Sequence, residues 1–390
     1  MPQTSASVGV RILLHVLFLL SGVATVLIGQ VLPILGRKFS LDDLELSFFF
    51  PAQFAGSLIG TIVTSRFGRR NRYFAAASLG VAAMAAGVLL MNADSFAGCL
   101  AGFLVNGLGI GLTLPSINML IVEMSLGREA SALSILNFCW GVGAIICKPF
   151  VDAFSGNESL GRTTYLLAIP LIVGVFTLIG PFIREEPAAT YSAEDSWDAP
   201  IWKNSIAWLI ALFNFIHVGF ESGIGGWLTT YTGRVPGEPL ATWLSPTLLY
   251  FSFFVIGRGF APVLFRFLTE NKMLLLGLAI ILTGMAVILA ADNVIALSLG
   301  ASLAGFGTSW IFPTNIARFT NTFGPTATRR ATPLFLAGTL GAASSTWLIG
   351  FISNASGSLH SGMYVLLAAI AMLMVLQIFL SLGTRRRVRA

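Results

Sequence analysis

The sequence contains few charged residues: Asp, Glu, Lys and Arg make up 10% of its 390 positions, whereas 55% are hydrophobic. Soluble domains carry about 25% charged residues, so this composition excludes an ordinary soluble protein and indicates an integral membrane protein. A net charge of +6 would suggest a nucleic-acid partner for a soluble chain. Here the Arg residues cluster beside apolar runs, so orientation in a bilayer explains them better and no nucleic-acid partner is expected.

Cysteine is also scarce, and its three residues lie inside apolar runs at Cys99, Cys139 and Cys147. An odd number of buried thiols without metal-ligand spacing excludes a disulfide framework, so we expect these residues to serve packing. The sequence lacks the His-Glu-x-x-His zinc motif and the Gly-x-x-x-x-Gly-Lys-Ser/Thr phosphate loop. We therefore expect neither an enzyme nor an ATP-driven pump, and no cofactor.

Twelve apolar runs are long enough to cross a membrane, which takes about 20 residues of helix. The first run, Ile12–Leu35, is longer than the apolar core of a signal peptide, so we expect a retained helix. One polar, Pro-bearing segment divides the chain nearly in half. We predict an all-α membrane protein with a six-helix bundle at 1–184, a linker at 185–203 and a second six-helix bundle at 204–390. The predicted spans are 11–35, 46–66, 73–92, 97–122, 131–153, 163–184, 204–231, 242–266, 272–291, 294–322, 331–354 and 361–384.

The basic residues are distributed unevenly between the two sides of this topology. With a cytoplasmic N-terminus, only five of the 23 Lys and Arg residues fall outside. Because cytoplasmic loops carry an excess of basic residues, we predict that both termini are cytoplasmic, and we expect a bacterial inner membrane. The five outside residues are Arg37, Lys38, Lys148, Arg162 and Arg234.

Residues of the same type recur at an almost constant separation in corresponding spans of the two halves. A nearly constant separation over several spans is hard to obtain by chance. It predicts two six-helix bundles with pseudo-twofold symmetry about an axis along the membrane normal. The pairs separated by 198 positions are Gly107–Gly305, Gly109–Gly307, Pro115–Pro313 and Gly143–Gly341, while Gly22–Gly219 and Gly29–Gly226 are separated by 197.

The seventh span carries ionisable and polar residues on one helical face. Asn214, His217 and Glu221 recur at spacings of three and four residues. A carboxylate at hydrocarbon depth costs about 2.5–3.5 kcal/mol unless it is protonated, paired or facing water. The cluster therefore favours a functional site; the alternative is a carboxylate that only ties two helices together. We predict proton coupling through Glu221, with His217 one turn away as its partner.

The basic loop between the second and third spans, from Arg66 to Arg70, resembles the Gly-x-x-x-Asp-Arg-x-Gly-Arg-Arg loop of the major facilitator superfamily. The resemblance to that superfamily covers essentially the whole chain. Ser65 stands where the motif has Asp, and Thr61 where it has its first Gly, so the usual charge latch is not carried over. The resemblance implies an inner gate. We assign to it Arg66, Arg69, Arg70 and Glu123.

Within the superfamily, Gly219-Phe220-Glu221 and the run from Gly226 to Tyr231 resemble the fucose-permease-like group of sugar:proton symporters. Sugar symporters of that group often carry carboxylates at positions that here hold Gly29 and Leu114, so their proton coupling is not carried over. The resemblance implies a transporter that moves a small polar solute, a sugar, by alternating access, and we expect it to work as a monomer. The alternatives are efflux of drugs or organic ions, and uncoupled sugar facilitation.

Polar and aromatic side chains at mid-span depth are the candidate substrate ligands. The resemblance implies a cavity between the bundles, and a polyhydroxylated solute needs neutral donors, acceptors and an aromatic face there. For each amide the alternative is an interhelical hydrogen bond, and for each Trp it is packing. The predicted substrate-binding residues are Gln53, Asn118, Asn137, Trp140, Asn214, Glu221, Trp310 and Asn315.

Four further charged residues lie within spans. Lys148 and Asp152 are one turn apart, which favours a structural ion pair over a substrate role. Arg258 and Arg318 are expected towards the cytoplasmic ends of their spans, where they would belong to the inner gate rather than to the substrate site.

Overall fold

The computed structural model describes residues 8–125, 128–183, 200–236, 241–324, 327 and 331–388. Within these ranges the chain forms α-helices and short 3-10 turns, without a strand. Twelve candidate spans in this part of the chain are long and apolar enough to cross a membrane, so the predicted all-α membrane fold is confirmed. Most of the predicted linker at 185–203 lies outside the described residues.

The helices follow the predicted spans closely, apart from one short extra helix and one interrupted span. Their bounds are α1 Val8–Phe39, α2 Asp43–Ser47, α3 Phe49–Gly68, α4 Tyr73–Leu90, α5 Phe96–Glu123, α6 Glu129–Phe154, α7 Gly161–Ile183, α8 Ser205–Thr232, α9 Pro246–Leu264, α10 Glu270–Ala290, α11 Val294–Thr308, α12 Ile311–Phe323, α13 Thr332–Ser356 and α14 Leu359–Val388.

Many large apolar side chains point away from the protein interior. Phe176, Val375 and Phe379 have 67%, 69% and 63% of their surface exposed. Soluble monomers rarely expose large contiguous apolar surface, whereas lipid tails cover it at no cost. The exposed apolar surface therefore fits a protein that spans a bilayer.

The chain folds into two compact units, which we call the N-terminal unit (Met1–Leu41 and Phe48–Ser192) and the C-terminal unit (Asp42–Ser47 and Ala193–Ala390). The short helix α2 lies between α1 and α3 in sequence, yet it belongs to the C-terminal unit. The predicted bundle limits at 184 and 204 stay predictions.

Helix α2 is fixed to the C-terminal unit by charge and by close packing. The carboxylate of Asp43 accepts a hydrogen bond from Nη1 of Arg234, just after α8, at 2.7 Å. It also accepts one from the hydroxyl of Ser353 in α13. A Cβ atom on Gly350 would lie 2.4 Å from the carbonyl oxygen of Asp43, so α2 lies directly against the backbone of α13.

Each unit uses the same glycine contact where its helices cross. A Cβ atom on Gly107 of α5 would lie 1.9 Å from the carbonyl oxygen of Gln53 in α3. A Cβ atom on Gly305 of α11 would lie 2.1 Å from the carbonyl oxygen of Tyr250 in α9. Only glycine permits such an approach of two backbones. The sequence repeat therefore corresponds to repeated helix packing inside each unit.

The tenth predicted span, 294–322, is confirmed as a candidate membrane span over Val294–Phe323, and two helices form it. Helix α11 ends at Thr308 and α12 begins at Ile311. Pro313 is the third residue of α12, and its missing N–H removes the hydrogen bond to the carbonyl of Ser309 that would join α11 to α12. Pro115, its counterpart in the repeat, lies inside the unbroken helix α5.

The two prolines leave a carbonyl oxygen available in each unit. Because proline has no N–H, the carbonyl four residues earlier has no helical donor. In the N-terminal unit, the carbonyl of Gly111 instead accepts a hydrogen bond from the hydroxyl of Thr64 at 3.1 Å. In the C-terminal unit, the carbonyl of Ser309 accepts one from Nε of Arg258 at 3.4 Å.

Candidate functional site

The C-terminal unit holds the ionisable pair that the sequence predicts on α8. Nε2 of His217 lies 3.5 Å from Oε2 of Glu221, so the predicted contact is confirmed. The His217 side chain is fully buried, whereas 26% of the Glu221 side chain is exposed. Neither ring nitrogen of His217 has a hydrogen-bond partner in the described part of the chain. The pair can therefore exchange a proton or accept a further polar group.

Helices α8 and α9 run side by side in opposite directions, and two contacts fix their register. The hydroxyls of Thr229 and Thr247 are 2.8 Å apart. One turn further along, a Cβ atom on Gly225 would lie 3.4 Å from the ring of Phe251. Thr247 and Phe251 therefore mark the face of α9 that packs on α8.

Arg258 continues this face of α9, because it follows Phe251 by two helical turns. It lies eleven residues from Thr247, and Glu221 lies eight residues from Thr229. These two spacings differ by three residues. With a rise of 1.5 Å per residue, Arg258 and Glu221 are therefore about 4.5 Å apart along the helix axes, which is less than one turn. Arg258 thus stands at a level between Glu221 and His217, and its guanidinium is within electrostatic reach of the Glu221 carboxylate.

The sequence-based interpretation places Arg258 towards the cytoplasmic end of its span. Arg258 lies six residues before Leu264, the last residue of α9, which agrees with that placement. Its assignment to the inner gate stays a prediction.

Two further contacts define the surroundings of Arg258. Its guanidinium carbon lies 4.2 Å from the ring centroid of Phe254 on the same helix. The buried phenol of Tyr250, two turns earlier, lies beside the hydroxyl of Thr308. Its oxygen lacks a hydrogen bond of good geometry to the described residues. The C-terminal unit therefore brings a carboxylate, an imidazole and a guanidinium to similar depth, with a phenol two helical turns away on α9.

Comparison with protein families matches the model of the Major Facilitator Superfamily to residues 14–332. The chain belongs to the Major Facilitator Superfamily. One curated relative, "Bypass of stop codon protein 6" of Saccharomyces cerevisiae, is 23% identical over 249 residues. That match covers 55% of this chain and 49% of the relative, so the chain matches about half the length of that protein.

Solved structures with the same fold include transporters of different substrates. A peptide transporter POT in complex with sulfate has a TM-score of 0.78 at 14% identity, covering 96% of this chain and 94% of that one. A D-xylose-proton symporter has a TM-score of 0.72 at 17% identity, covering 95% and 96%. The E. coli fucose:proton symporter FucP has a TM-score of 0.64 at 18% identity, covering 96% and 98%. At these identities the likeness shows the Major Facilitator Superfamily fold alone.

Three of the residues predicted to bind substrate donate hydrogen bonds between helices of the C-terminal unit. The amide of Asn214 donates to the carbonyl of Leu334 at 2.9 Å, and that of Asn315 to Ile210 at 3.2 Å. The indole of Trp310 donates to the carbonyl of Met273 at 2.9 Å. All three side chains are fully buried. This geometry supports the structural alternative for each of them, and a substrate role stays a prediction.

The four predicted ligands in the N-terminal unit have different surroundings. The buried amide of Gln53 donates to the carbonyl of Thr25 at 3.0 Å and accepts from Asn106 at 3.4 Å. Asn137 is exposed, and its amide donates to the carbonyl of Leu133 within α6 at 2.8 Å. Asn118 and Trp140 are half-buried. A shared cavity with residues of the other unit stays a prediction.

The predicted gate residues lie at one end of the N-terminal unit. Arg66 is exposed in the last turn of α3, Arg69 and Arg70 are exposed in the loop that follows, and Glu123 is exposed at the end of α5. Their gating role stays a prediction. Arg318 lies five residues before the end of α12, between the ring of Phe213 and the side-chain oxygen of Gln377, and its gating role also stays a prediction.

Proposed function

We propose that this member of the Major Facilitator Superfamily is a secondary active transporter that moves a small polar solute, a sugar or a close derivative, together with protons. The observation that carries the proposal is the Glu221–His217 pair. It lies near the middle of α8, with Glu221 partly exposed and His217 fully buried. A facilitator needs no titratable group at this depth, whereas a proton symporter needs at least one whose protonation differs between conformational states.

The coupling mechanism follows from the cost of a charge at hydrocarbon depth. An ionised Glu221 is stable only while water or an opposite charge reaches it, because an isolated carboxylate in the membrane interior is expensive. Protonation removes that cost and favours the state in which the site is closed to water. Reopening hydrates the carboxylate and releases the proton. His217, 3.5 Å away, supplies a nearby group for the proton to move to.

The sugar assignment is supported by two of the structural neighbours, which are a D-xylose-proton symporter and a fucose:proton symporter. The repeat-related position of Glu221 in the N-terminal unit is Ala24, and Gly29 and Leu114 replace carboxylates that sugar symporters often carry. The missing carboxylates weigh towards an uncoupled facilitator or a differently wired symporter, and they leave Glu221 as the residue through which proton coupling would run.

The proposal is tested by measuring accumulation of labelled sugars, both neutral sugars and sugar acids, in proteoliposomes under an imposed pH gradient. We expect wild-type protein to accumulate its sugar, and Glu221→Gln to abolish accumulation while sparing exchange between two sugar-loaded sides. Glu158→Gln, which removes an exposed loop carboxylate, is the matched control and should behave as wild type.

Two results would contradict the proposal. Wild-type protein that equilibrates sugar without accumulating it under the gradient would be an uncoupled facilitator. Protein that exports a fluorescent cationic dye but takes up no sugar would belong to the drug-efflux class.

A further inference from the structure

The guanidinium of Arg258 has more hydrogen-bond donors than the C-terminal unit uses. An arginine side chain has five N–H donors. One of them, on Nε, is directed at the carbonyl of Ser309 at 3.4 Å, a long hydrogen bond. None of the ion pairs found in the described part of the chain includes Arg258. The side chain is half-buried.

The position of this guanidinium is set by the protein and not by a counter-ion. The ring of Phe254 lies against its flat face at 4.2 Å, and the Ser309 carbonyl is available only because Pro313 has no N–H to offer it. These contacts occupy the flat face and the Nε donor of the guanidinium. The N–H groups of its two terminal nitrogens can then bind a planar group with two acceptor oxygens.

Buried polar groups around Arg258 also await a partner. The Tyr250 oxygen lies beside the Thr308 hydroxyl, and Nε2 of His217 lies 3.5 Å from Glu221. Neither the Tyr250 oxygen nor either His217 nitrogen makes a hydrogen bond of good geometry with the described residues, and both side chains are fully buried. Buried polar groups are normally satisfied, so such groups beside a charged residue indicate a ligand that completes them. Tyr250 and His217 can donate or accept, which suits hydroxyl groups.

We propose that Arg258 binds a carboxylate of the transported solute, so that the substrate is a small polar acid, such as a sugar acid or a short peptide, and not a neutral sugar. The inference deepens the proposed transport function and rests on it. The terminal N–H groups of Arg258 donate hydrogen bonds to the carboxylate. Tyr250 and His217 bind neighbouring hydroxyl or amide groups.

Binding an acid at Arg258 has a consequence for Glu221. Without substrate, Glu221 and Arg258 lie at similar depth and their opposite charges compensate one another. A bound carboxylate neutralises the positive charge of Arg258, which then no longer stabilises ionised Glu221. Protonation of Glu221 removes the cost of its buried charge, so one acid and one proton cross together without net charge. No other acidic side chain of the described residues lies at this depth on the helices that pack against α8. The remaining titratable groups on the described elements packed against α8 are Tyr250 on α9, Arg318 on α12, Lys203 in the turn before α8, and His360, Tyr364, Arg385, Arg386 and Arg387 on α14. Asp43 and Glu45 lie on α2, which packs against α13.

The test compares acids with their neutral counterparts on purified full-length protein, by ligand-induced thermal stabilisation in detergent. The matched pairs are D-galacturonate with D-galactose, D-glucuronate with D-glucose, and the dipeptide Ala-Ala with its C-terminal amide. We expect at least one acid to bind about ten- to hundredfold more tightly than its neutral counterpart, as a charge-assisted bidentate contact requires. The uronate and dipeptide pairs distinguish the two sources of the carboxylate.

Variants separate a binding role of Arg258 from a structural one. Arg258→Gln should weaken binding of the acid about ten- to hundredfold and leave the neutral counterpart unaffected, and Arg258→Lys should restore part of the loss. Arg266→Gln, in the exposed turn just after α9, is the control and should bind as wild type.

The inference is overturned if no acid binds, if neutral counterparts bind as tightly as the acids, or if Arg258→Gln binds the acid as tightly as wild type. If Arg258→Gln does not fold, the Arg258→Lys variant and the matched pairs on wild-type protein decide. Acid binding without proton-driven accumulation would contradict the proposed coupling and leave the Arg258 site standing.

Discussion

The N-terminal and C-terminal units share their helix packing but differ in their chemistry. Both have a glycine contact between corresponding helices and a proline that leaves a carbonyl available. In the N-terminal unit that carbonyl accepts from a neutral hydroxyl, on Thr64, and in the C-terminal unit from a charged guanidinium, on Arg258. The same helix packing thus places a neutral hydrogen-bond donor in one unit and a charged donor in the other.

The sequence repeat extends this contrast to the neighbouring positions. The residues 197 positions before His217, Glu221 and Arg258 are an apolar Leu20, an apolar Ala24 and a neutral Thr61. Deep polar groups of the N-terminal unit, such as Gln53 and Asn106, are amides that hydrogen-bond to neighbouring helices. Charges at depth are expensive, so their restriction to one unit indicates function and not packing.

The largest expected effect concerns the charge pair at depth. In a double-mutant cycle of Glu221→Gln and Arg258→Gln, each single variant leaves one uncompensated charge, and the double variant leaves none. We expect a coupling energy at the upper end of the usual range, about 2–3 kcal/mol, measured as detergent thermal stability.

The matched cycle uses Lys148 and Asp152 of the N-terminal unit, which form a local ion pair as the sequence predicts. Their side chains are 15% and 34% exposed, and they are one helical turn apart. Pairs of this kind contribute about 0.3–0.5 kcal/mol. Equal coupling energies in the two cycles would remove the distinction between the units.

A smaller effect is expected from the two prolines. Pro313→Ala restores an N–H that can bond to the carbonyl of Ser309, which takes the acceptor away from Arg258. We expect acid binding to weaken about tenfold, or about 1.4 kcal/mol, measured by the same thermal stabilisation. Pro115→Ala should change binding little, because the Thr64 hydroxyl also donates to the carbonyl of Gly60 at 3.0 Å. Similar losses in both variants would mean that helix bending, and not the Arg258 contact, is responsible.

The smallest effect is expected where an amide only joins helices. Asn214→Ala removes the hydrogen bond to the Leu334 carbonyl and should lower stability by about 0.6 kcal/mol, the mean value for such contacts in a membrane. Asn106→Ala, which removes the hydrogen bond to the Ala24 carbonyl, is the equivalent change in the other unit. Substrate affinity should stay at the wild-type value in both. A loss of affinity in Asn214→Ala alone would restore Asn214 to the substrate site.

Much of the fold could be predicted from the sequence because its signals are local. Apolar runs of helix length identify the twelve spans, since a bilayer excludes unpaired backbone groups. The contact of His217 with Glu221 also follows from helical spacing alone. Neither prediction requires knowledge of which helices are neighbours.

Features that depend on contacts between distant residues could not be predicted in this way. The level of Arg258 relative to Glu221 follows from the register of α8 on α9, which the Thr229–Thr247 contact fixes. The hydrogen bonds of Asn214 and Trp310 were ambiguous, because an amide or an indole suits either a substrate or a carbonyl of a neighbouring helix. The interruption of the tenth span was missed because its counterpart, with Pro115, stays continuous.

The attachment of α2 to the C-terminal unit has a consequence for biosynthesis. Asp43 emerges from the ribosome 191 residues before Arg234, the residue that neutralises it. At about 5–20 residues per second, synthesis of the intervening chain takes about 10–40 s. During that interval the Asp43 carboxylate has neither Arg234 nor Ser353 to bind, and the surface of α13 that covers it does not yet exist. Helix α2 is therefore made before every other helix of the C-terminal unit and can dock only after α13 has been synthesised.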